Sequence, residues 1–305
     1  MNNGNLKTSI LHLITPAKNV SPFDVNMAYD AGFDKIMPYT NVALADVTGL
    51  TQDAMFSRSA PGVKREAIFI GGRDVDLALQ MLKSCQQAMF TPFSFSILAD
   101  PSGAFTTAAA MIAKVEFHLK LQFNETLSGK IVSVFGATGP VGSCAAFIAA
   151  KSGAIVHLVA HKSLSELAQK VVAWNAQYEI NLQAVDGTTE TAKQAVVSSS
   201  DIVLCAAAAG VQILNETQLL NAPQLKIVAD VNAVLPLGIQ GVDVNSDGES
   251  ILASQTYGIG ALAIGQLKYA THQQLLKKIL EVDKPQVLEF MAAFDLAKAL
   301  VSNVR

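Results

Sequence analysis

The 305 residues include three cysteines, one tryptophan and only 15% charged side chains, with no cluster of basic residues. Each shortage removes a class of function. Cys85, Cys144 and Cys205 are far apart and each lies in an apolar stretch, so a disulfide framework is excluded and buried free thiols of a cytoplasmic protein are expected. A formal charge of −3 with dispersed Lys and Arg offers no nucleic-acid face and no polybasic membrane patch. No stretch reaches the ~18 apolar residues that span a bilayer, and Met1 to Lys7 lacks the apolar core of a secretory signal. The His, Cys, Asp and Glu residues show no metal-ligand spacing, and neither G-x-S-x-G nor a Walker lysine occurs. What is abundant is apolar: 50% hydrophobic residues can fill the cores of two ordinary domains. A small molecule is therefore the expected partner.

The stretch Ile131 to Gly142 organises the rest. Ile131-Val132-Ser133-Val134-Phe135 is a β-branched apolar run that empties into Gly136-Ala137-Thr138-Gly139-Pro140-Val141-Gly142, and a helix follows to Lys151. Helix N-termini attract anions through free N–H groups and the helix dipole, and glycines allow the backbone to approach a pyrophosphate. Gly136, Thr138, Gly139, Pro140, Val141 and Gly142 are accordingly cofactor-binding candidates. The spacing is G-x-x-G-x-x-G, with Ala137 where G-x-G-x-x-G has its second glycine. A second strand, Ala154 to Val159, completes a βαβ unit. Its end selects the cofactor. NAD-specific sites place an acidic residue there, whereas this chain has Ala160-His161-Lys162-Ser163, a set able to hold a 2′-phosphate, with Ser163 as N-cap of the helix from Leu164. NADP is expected, with NAD possible. A solvated turn is the other reading of His161 and Lys162.

Before this unit, the pattern predicts strand Ile10 to Ile14, helix Pro22 to Ala31 between Ser21 and Gly32, strand Lys35 to Met37, strand Ala67 to Ile70, helix Val75 to Ala88, strand Phe93 to Leu98 and helix Thr106 to Leu121. After it come helix Leu164 to Trp174, strand Ile180 to Val185, helix Glu190 to Ser198, strand Ile202 to Cys205, helix Asn215 to Leu220 and strand Ile227 to Ala229. Helices Gly260 to Val282 and Lys284 to Val301 follow, with no further strand. The fold class is two-domain α/β. An N-terminal α/β domain, 1–106, is completed by C-terminal helices of 272–305 that return to it, and 107–271 is a Rossmann-like doubly wound parallel sheet.

The order of parts resembles the NAD(P)-dependent methylene-tetrahydromethanopterin and methylene-tetrahydrofolate dehydrogenases of methylotrophic bacteria, over nearly the whole chain. The resemblance is carried by Phe23-Asp24-Val25 with Tyr29-Asp30, Tyr39-Thr40-Asn41-Val42, Ala67-Ile68-Phe69-Ile70-Gly71-Gly72, Gly103 with Thr106-Thr107-Ala108, and Ala137 to Gly142. Val228-Ala229-Asp230, Asn232-Ala233, Pro236-Leu237-Gly238-Ile239 and Ile264-Gly265-Gln266-Leu267-Lys268 continue it. It implies a self-associating oxidoreductase of one-carbon metabolism that binds a pterin and a nicotinamide dinucleotide in a cleft. Lys268 matches the family's active-site lysine; Asp24, Asp100 and Thr107 match its pterin side; Asn232 joins the glycine loop and the His161-Lys162-Ser163 turn on the dinucleotide side. Where this family carries a polar residue the chain has Phe105, and where it carries a second basic residue the chain has Ala270.

Hydride loss from a methylene carbon between two nitrogens needs no general base, only orientation and charge stabilisation. A charged lysine 4 Å from the developing cation would be unfavourable by about 4 kcal/mol at an effective dielectric near 20. Lys268 is thus expected on the polar edge of the pterin or paired with Asp24 or Asp100, and a solvated helix lysine is its bland alternative. Asp24 could merely complement a helix dipole, Asp100 merely start a turn, and Thr107 merely cap a helix. His12 and His157 read as satisfied core histidines, His118 and His272 as helix-surface residues. The competing functions are a non-catalytic NADP- and pterin-binding paralogue, which Phe105 and Ala270 motivate, and another two-domain NADP reductase of shikimate-dehydrogenase type.

Overall fold

The computed structural model describes residues 7–252, 254–280 and 284–303. Val282, the expected end of a helix, and Met1 to Leu6 lie outside them. The chain divides into two units, Met1–Thr106 with Tyr269–Leu296, and Thr107–Lys268 with Ala297–Arg305. The segment from Ala297 thus groups with the second unit, where the sequence reading sent the whole of 272–305 to the first.

The first unit is a parallel sheet. Its chain runs β1 (Ile10–Ile14), α1 (Pro22–Ala31), β2 (Lys35–Tyr39), α2 (Val47–Phe56), α3 (Ala60–Val63), β3 (Glu66–Ile70), α4 (Val75–Ala88) and β4 (Ser96–Ala99). Ser21 caps α1 by accepting from the Asp24 N–H at 3.4 Å, and Gly32 closes it in the left-handed region; Asp74 caps α4 through the Leu77 N–H at 2.9 Å. β3 and β4 are buried along their length, as central parallel strands with both faces covered must be. Ile68, Phe69, Ile70, Ile97 and Leu98 form the heart of this core.

The second unit begins on α5 (Ala104–Phe123) and continues β5 (Ile131–Phe135), α6 (Pro140–Lys151), β6 (Ile155–Ala160), α7 (Leu164–Tyr178), β7 (Leu182–Asp186), α8 (Glu190–Ser198), β8 (Ile202–Cys205), α9 (Glu216–Leu220), β9 (Ile227–Asp230), β10 (Asp247–Ser250), β11 (Tyr257–Ile259) and α10 (Ala261–Leu280); β12 (Val287–Leu288) and α11 (Phe290–Leu300) end the described chain. Its sheet order is β10-β11-β9-β8-β5-β6-β7, parallel except where β10 runs antiparallel to β11. The strand order therefore reverses direction at β5 and β8, the switch point at which doubly wound sheets bind their ligands.

Four expectations are corrected. Residues Lys284 to Glu289 are not helical: Pro285 disfavours the α-region for its predecessor, and β12 pairs with β4 in the first sheet, whose order is β12-β4-β3-β1-β2. Two further strands, β10 and β11, lie where no strand was expected. Phe93 forms an isolated bridge with Phe90, and β4 starts only at Ser96. His118 and His272 are 5% and 0% exposed, not surface residues, because α5 and α10 bury the faces that carry them.

Candidate functional site

The glycine loop leaves β5 at the switch point, and its shape depends on two positions. Gly136 has φ +74°, and a Cβ there would lie 2.3 Å from the Ala206 carbonyl oxygen; a Cβ on Gly142 would lie 2.4 Å from the Gly136 oxygen. Side chains are thus barred at both ends of the loop. Gly139 is the N-cap of α6, with its N–H donated to the Gly136 oxygen at 3.0 Å, and Pro140 occupies the first helical position, where no N–H is needed. The N–H groups of Val141 and Gly142 fall in the first turn, which has no intrahelical acceptors, and the positive end of the α6 dipole lies with them. This loop suits the pyrophosphate of a dinucleotide: the first-turn N–H groups and the dipole of α6 lie at a turn that the backbone itself closes tightly enough to require glycine.

Beside it, a pocket brings Ala137 and Thr138 of the loop together with His161, Lys162 and Ser163 after β6 and with Glu166 and Lys170 of α7. The tetrapeptide predicted to choose the cofactor therefore does face the loop across a shared cavity. Ser163 is N-cap of α7, its Oγ accepting from the Glu166 N–H at 3.2 Å. His161 and Lys162 are exposed. Glu166 and Lys170 escaped the sequence reading, yet 163, 166 and 170 recur at helical spacing from the cap, a signal that places them on one face.

Asn232 is buried, and its amide is committed to the loop after β9. Oδ1 accepts from Val234 N–H at 2.9 Å and Gly210 N–H at 3.3 Å, while Nδ2 donates to Pro236 O at 3.1 Å. Asp230 at the end of β9 accepts from the Asn232 and Ile239 N–H groups; burial pushes its carboxyl pKa up from the ordinary value. These bonds brace the loop from Val234 to Ile239 and tie it to Gly210.

In the first unit, Asp24 sits in the first turn of α1, 5% exposed, its Oδ2 3.8 Å from where a Cβ on Gly71 would stand. Asp100 follows β4 and is fully buried. Its Oδ1 accepts from Phe105 N–H at 2.8 Å and Thr106 N–H at 3.2 Å, and its Oδ2 accepts from Thr106 Oγ1 at 2.6 Å and stands 3.0 Å from His272 Nδ1. The His272 ring packs against Phe23 and Phe69. Asp100 thus holds the start of α5. Phe105 is fully buried with its ring edge-on to Phe290 at 5.7 Å, a packing residue. Thr107 on α5 and Lys268 on α10 are half-buried. Among the described residues no group of His, Cys, Asp and Glu could hold a metal ion, and no helix is long and apolar enough to cross a membrane. All three cysteines are free and buried.

Residues 22–102 match the family model described as methylene-tetrahydromethanopterin dehydrogenase, N-terminal. The chain is 44% identical, over 95% of its length and 97% of the relative's, to the NAD(P)-dependent methylenetetrahydromethanopterin dehydrogenase of Methylorubrum extorquens. It is 31% identical, over 92% of its length and 94% of the relative's, to the Bifunctional protein MdtA of the same organism. Among solved structures, ornithine carbamoyltransferase from Pyrococcus furiosus aligns with TM-score 0.51 at 12% identity, covering 90% of this chain and 84% of that one, a likeness of fold alone.

Proposed function

The chain belongs to the methylene-tetrahydromethanopterin dehydrogenase family, and on that premise we propose that it is an oxidoreductase transferring a hydride from the methylene carbon of methylene-tetrahydromethanopterin to NAD(P), leaving the methenyl form. The observation that carries this reading is the glycine cradle at the switch point, in a chain of that family. The bound dinucleotide supplies the hydride acceptor.

The protein residues orient, exclude and balance charge. Gly136 to Gly142 hold the pyrophosphate with main-chain N–H groups, and His161 and Lys162 meet the adenosine ribose, so that NADP is preferred and NAD accepted. Asn232 acts there through the loop it braces. Toward the pterin, Asp24 offers a carboxylate to offset the cation that grows at the methenyl carbon, Thr107 a hydroxyl, and Lys268 a donor to the polar edge of the ring. Asp100 contributes by fixing the N-terminus of α5, which makes it a positioning residue. No side chain removes a proton, because the carbon loses only a hydride. The same reading includes a cytoplasmic homo-oligomer. In its support, the rings of Phe56, Phe90 and Phe93 gather at the surface of the first unit, Phe56 60% and Phe90 52% exposed.

Lys268→Ala tests the site. Turnover of the pterin should fall on the order of 10²-fold, as for loss of one well-placed polar contact, while NADP affinity measured by calorimetry stays near that of the parent. Full activity in the variant would refute the role given to Lys268, and lost NADP affinity would place the lysine on the dinucleotide instead.

A further inference from the structure

We propose that Lys170 is a second cation for the adenosine 2′-phosphate and that Glu166, one turn earlier on α7, is the opposing carboxylate that keeps NAD acceptable in the same pocket. This rests on the dinucleotide reading above and names what within the site discriminates the two cofactors.

The pocket holds three basic side chains, His161, Lys162 and Lys170, and one acidic one, Glu166. Ser163 Oγ accepts from the Glu166 N–H as the cap of α7 and lies 3.1 Å from Ser165 Oγ, so that a single neutral O–H is the most it can offer a phosphate. The cations have to do most of the work. Among the described residues neither Lys162 nor Lys170 forms an ion pair. Glu166 and Lys170 stand at i and i+4, the spacing and order that favour a helical ion pair, yet they do not make one. Instead Lys170 Nζ lies 6.0 Å from the centroid of the Trp174 ring. Such a cation–π contact steadies the ammonium without neutralising it. The pocket is thus lined by two lysines outside any ion pair, contributed by different elements, Lys162 just after β6 and Lys170 in the second turn of α7.

Glu166 works in the other direction. Dinucleotide sites specific for NAD bind the ribose diol through an acidic residue at the end of the second strand, which here is Ala160. Glu166 brings a carboxylate to the same pocket from the helix, able to accept a ribose hydroxyl and repelling a 2′-phosphate. The two charges on α7 therefore oppose each other in cofactor choice, and their balance admits both nucleotides.

Calorimetric titration of the full chain with NADP and NAD, and with adenosine 2′,5′-bisphosphate and adenosine 5′-monophosphate as probes of the 2′-phosphate alone, tests this. Lys170→Met, which retains the apolar stem over Trp174, should lower the NADP-to-NAD affinity ratio on the order of tenfold, with the same loss for the bisphosphate relative to the monophosphate; Lys170→Arg should restore most of it. Glu166→Gln should raise the ratio. An unchanged ratio in Lys170→Met, or a fall in Glu166→Gln, overturns the assignment while leaving the dinucleotide reading in place. A parent protein that binds none of the four nucleotides overturns both.

Discussion

A methyl group on Gly142 would meet the Gly136 oxygen at 2.4 Å, and neither atom belongs to a side chain that can swing aside. Gly142→Ala should therefore displace the loop, costing roughly 1–3 kcal/mol of stability and weakening both NAD and NADP by more than tenfold. Thermal unfolding and nucleotide titration check this, and a variant with parental affinity for both would show that the loop is not the cradle. At this scale the sequence was most readable where backbone chemistry dictates the residue: Ser21 and Ser163 at helix starts, Gly32 at a left-handed helix end, the loop glycines. It was least readable for buried polar side chains. His272 and His118 look like surface residues by helical spacing, but α5 is buried on nearly every face from Ala104 to Val115, which includes Lys114 at 1% exposure. Local pattern reports one apolar face and cannot reveal that the other is covered as well. The partner that makes such burial tolerable for His118 and Lys114, Asp247, is distant in sequence.

Among the elements, β10 shows what is missed and why it holds. β10 is polar, Asp247-Gly248-Glu249-Ser250, and β11 and β12 are only three and two residues long, so none carries a readable pattern, whereas β1, β3, β5 and β8 announce themselves by apolar runs. β10 is fastened by its first residue: Asp247 accepts two bonds from Lys114 Nζ at 2.8 and 2.9 Å and one from His118 Nε2 at 3.0 Å, both donors lying on α5. Burial works to raise the Asp247 pKa, but the bonds and charges of His118 and Lys114 prevail and hold it at about 2. A carboxylate with a depressed pKa stabilises the fold at all pH above its ordinary value of 3.8, and the contribution disappears as pH falls from there through about 2. Asp247→Asn should consequently cost about 3 kcal/mol at neutral pH, since it leaves the Lys114 charge buried without a counter-charge. The gap in Tm between variant and parent should narrow as pH drops below 3.8 toward 2. A gap that stays constant across that range would show that Asp247 is not held as an anion by these partners.

For the molecule as a whole, the second unit's topology was legible because alternating strands and helices with right-handed crossovers leave few arrangements, and the glycine loop identifies which strand is central. The strand order β7-β6-β5-β8-β9-β11 is that arrangement, extended by antiparallel β10. The first sheet is less legible. Its edge strand β12 comes from residues 287 and 288, far along the chain, and only the pairing of Val287 with Ile97 and Leu288 with Leu98 reveals it. The reactive pairing of pterin and dinucleotide is a property of the whole protein, and its chemistry can be observed directly. Purified protein mixed with methylene-tetrahydromethanopterin and NADP, followed by the absorbance of reduced nicotinamide, should give one reduced nicotinamide for each methenyl product, with slower or weaker use of NAD. A protein that binds both ligands by calorimetry and yields no reduced nicotinamide would contradict the account.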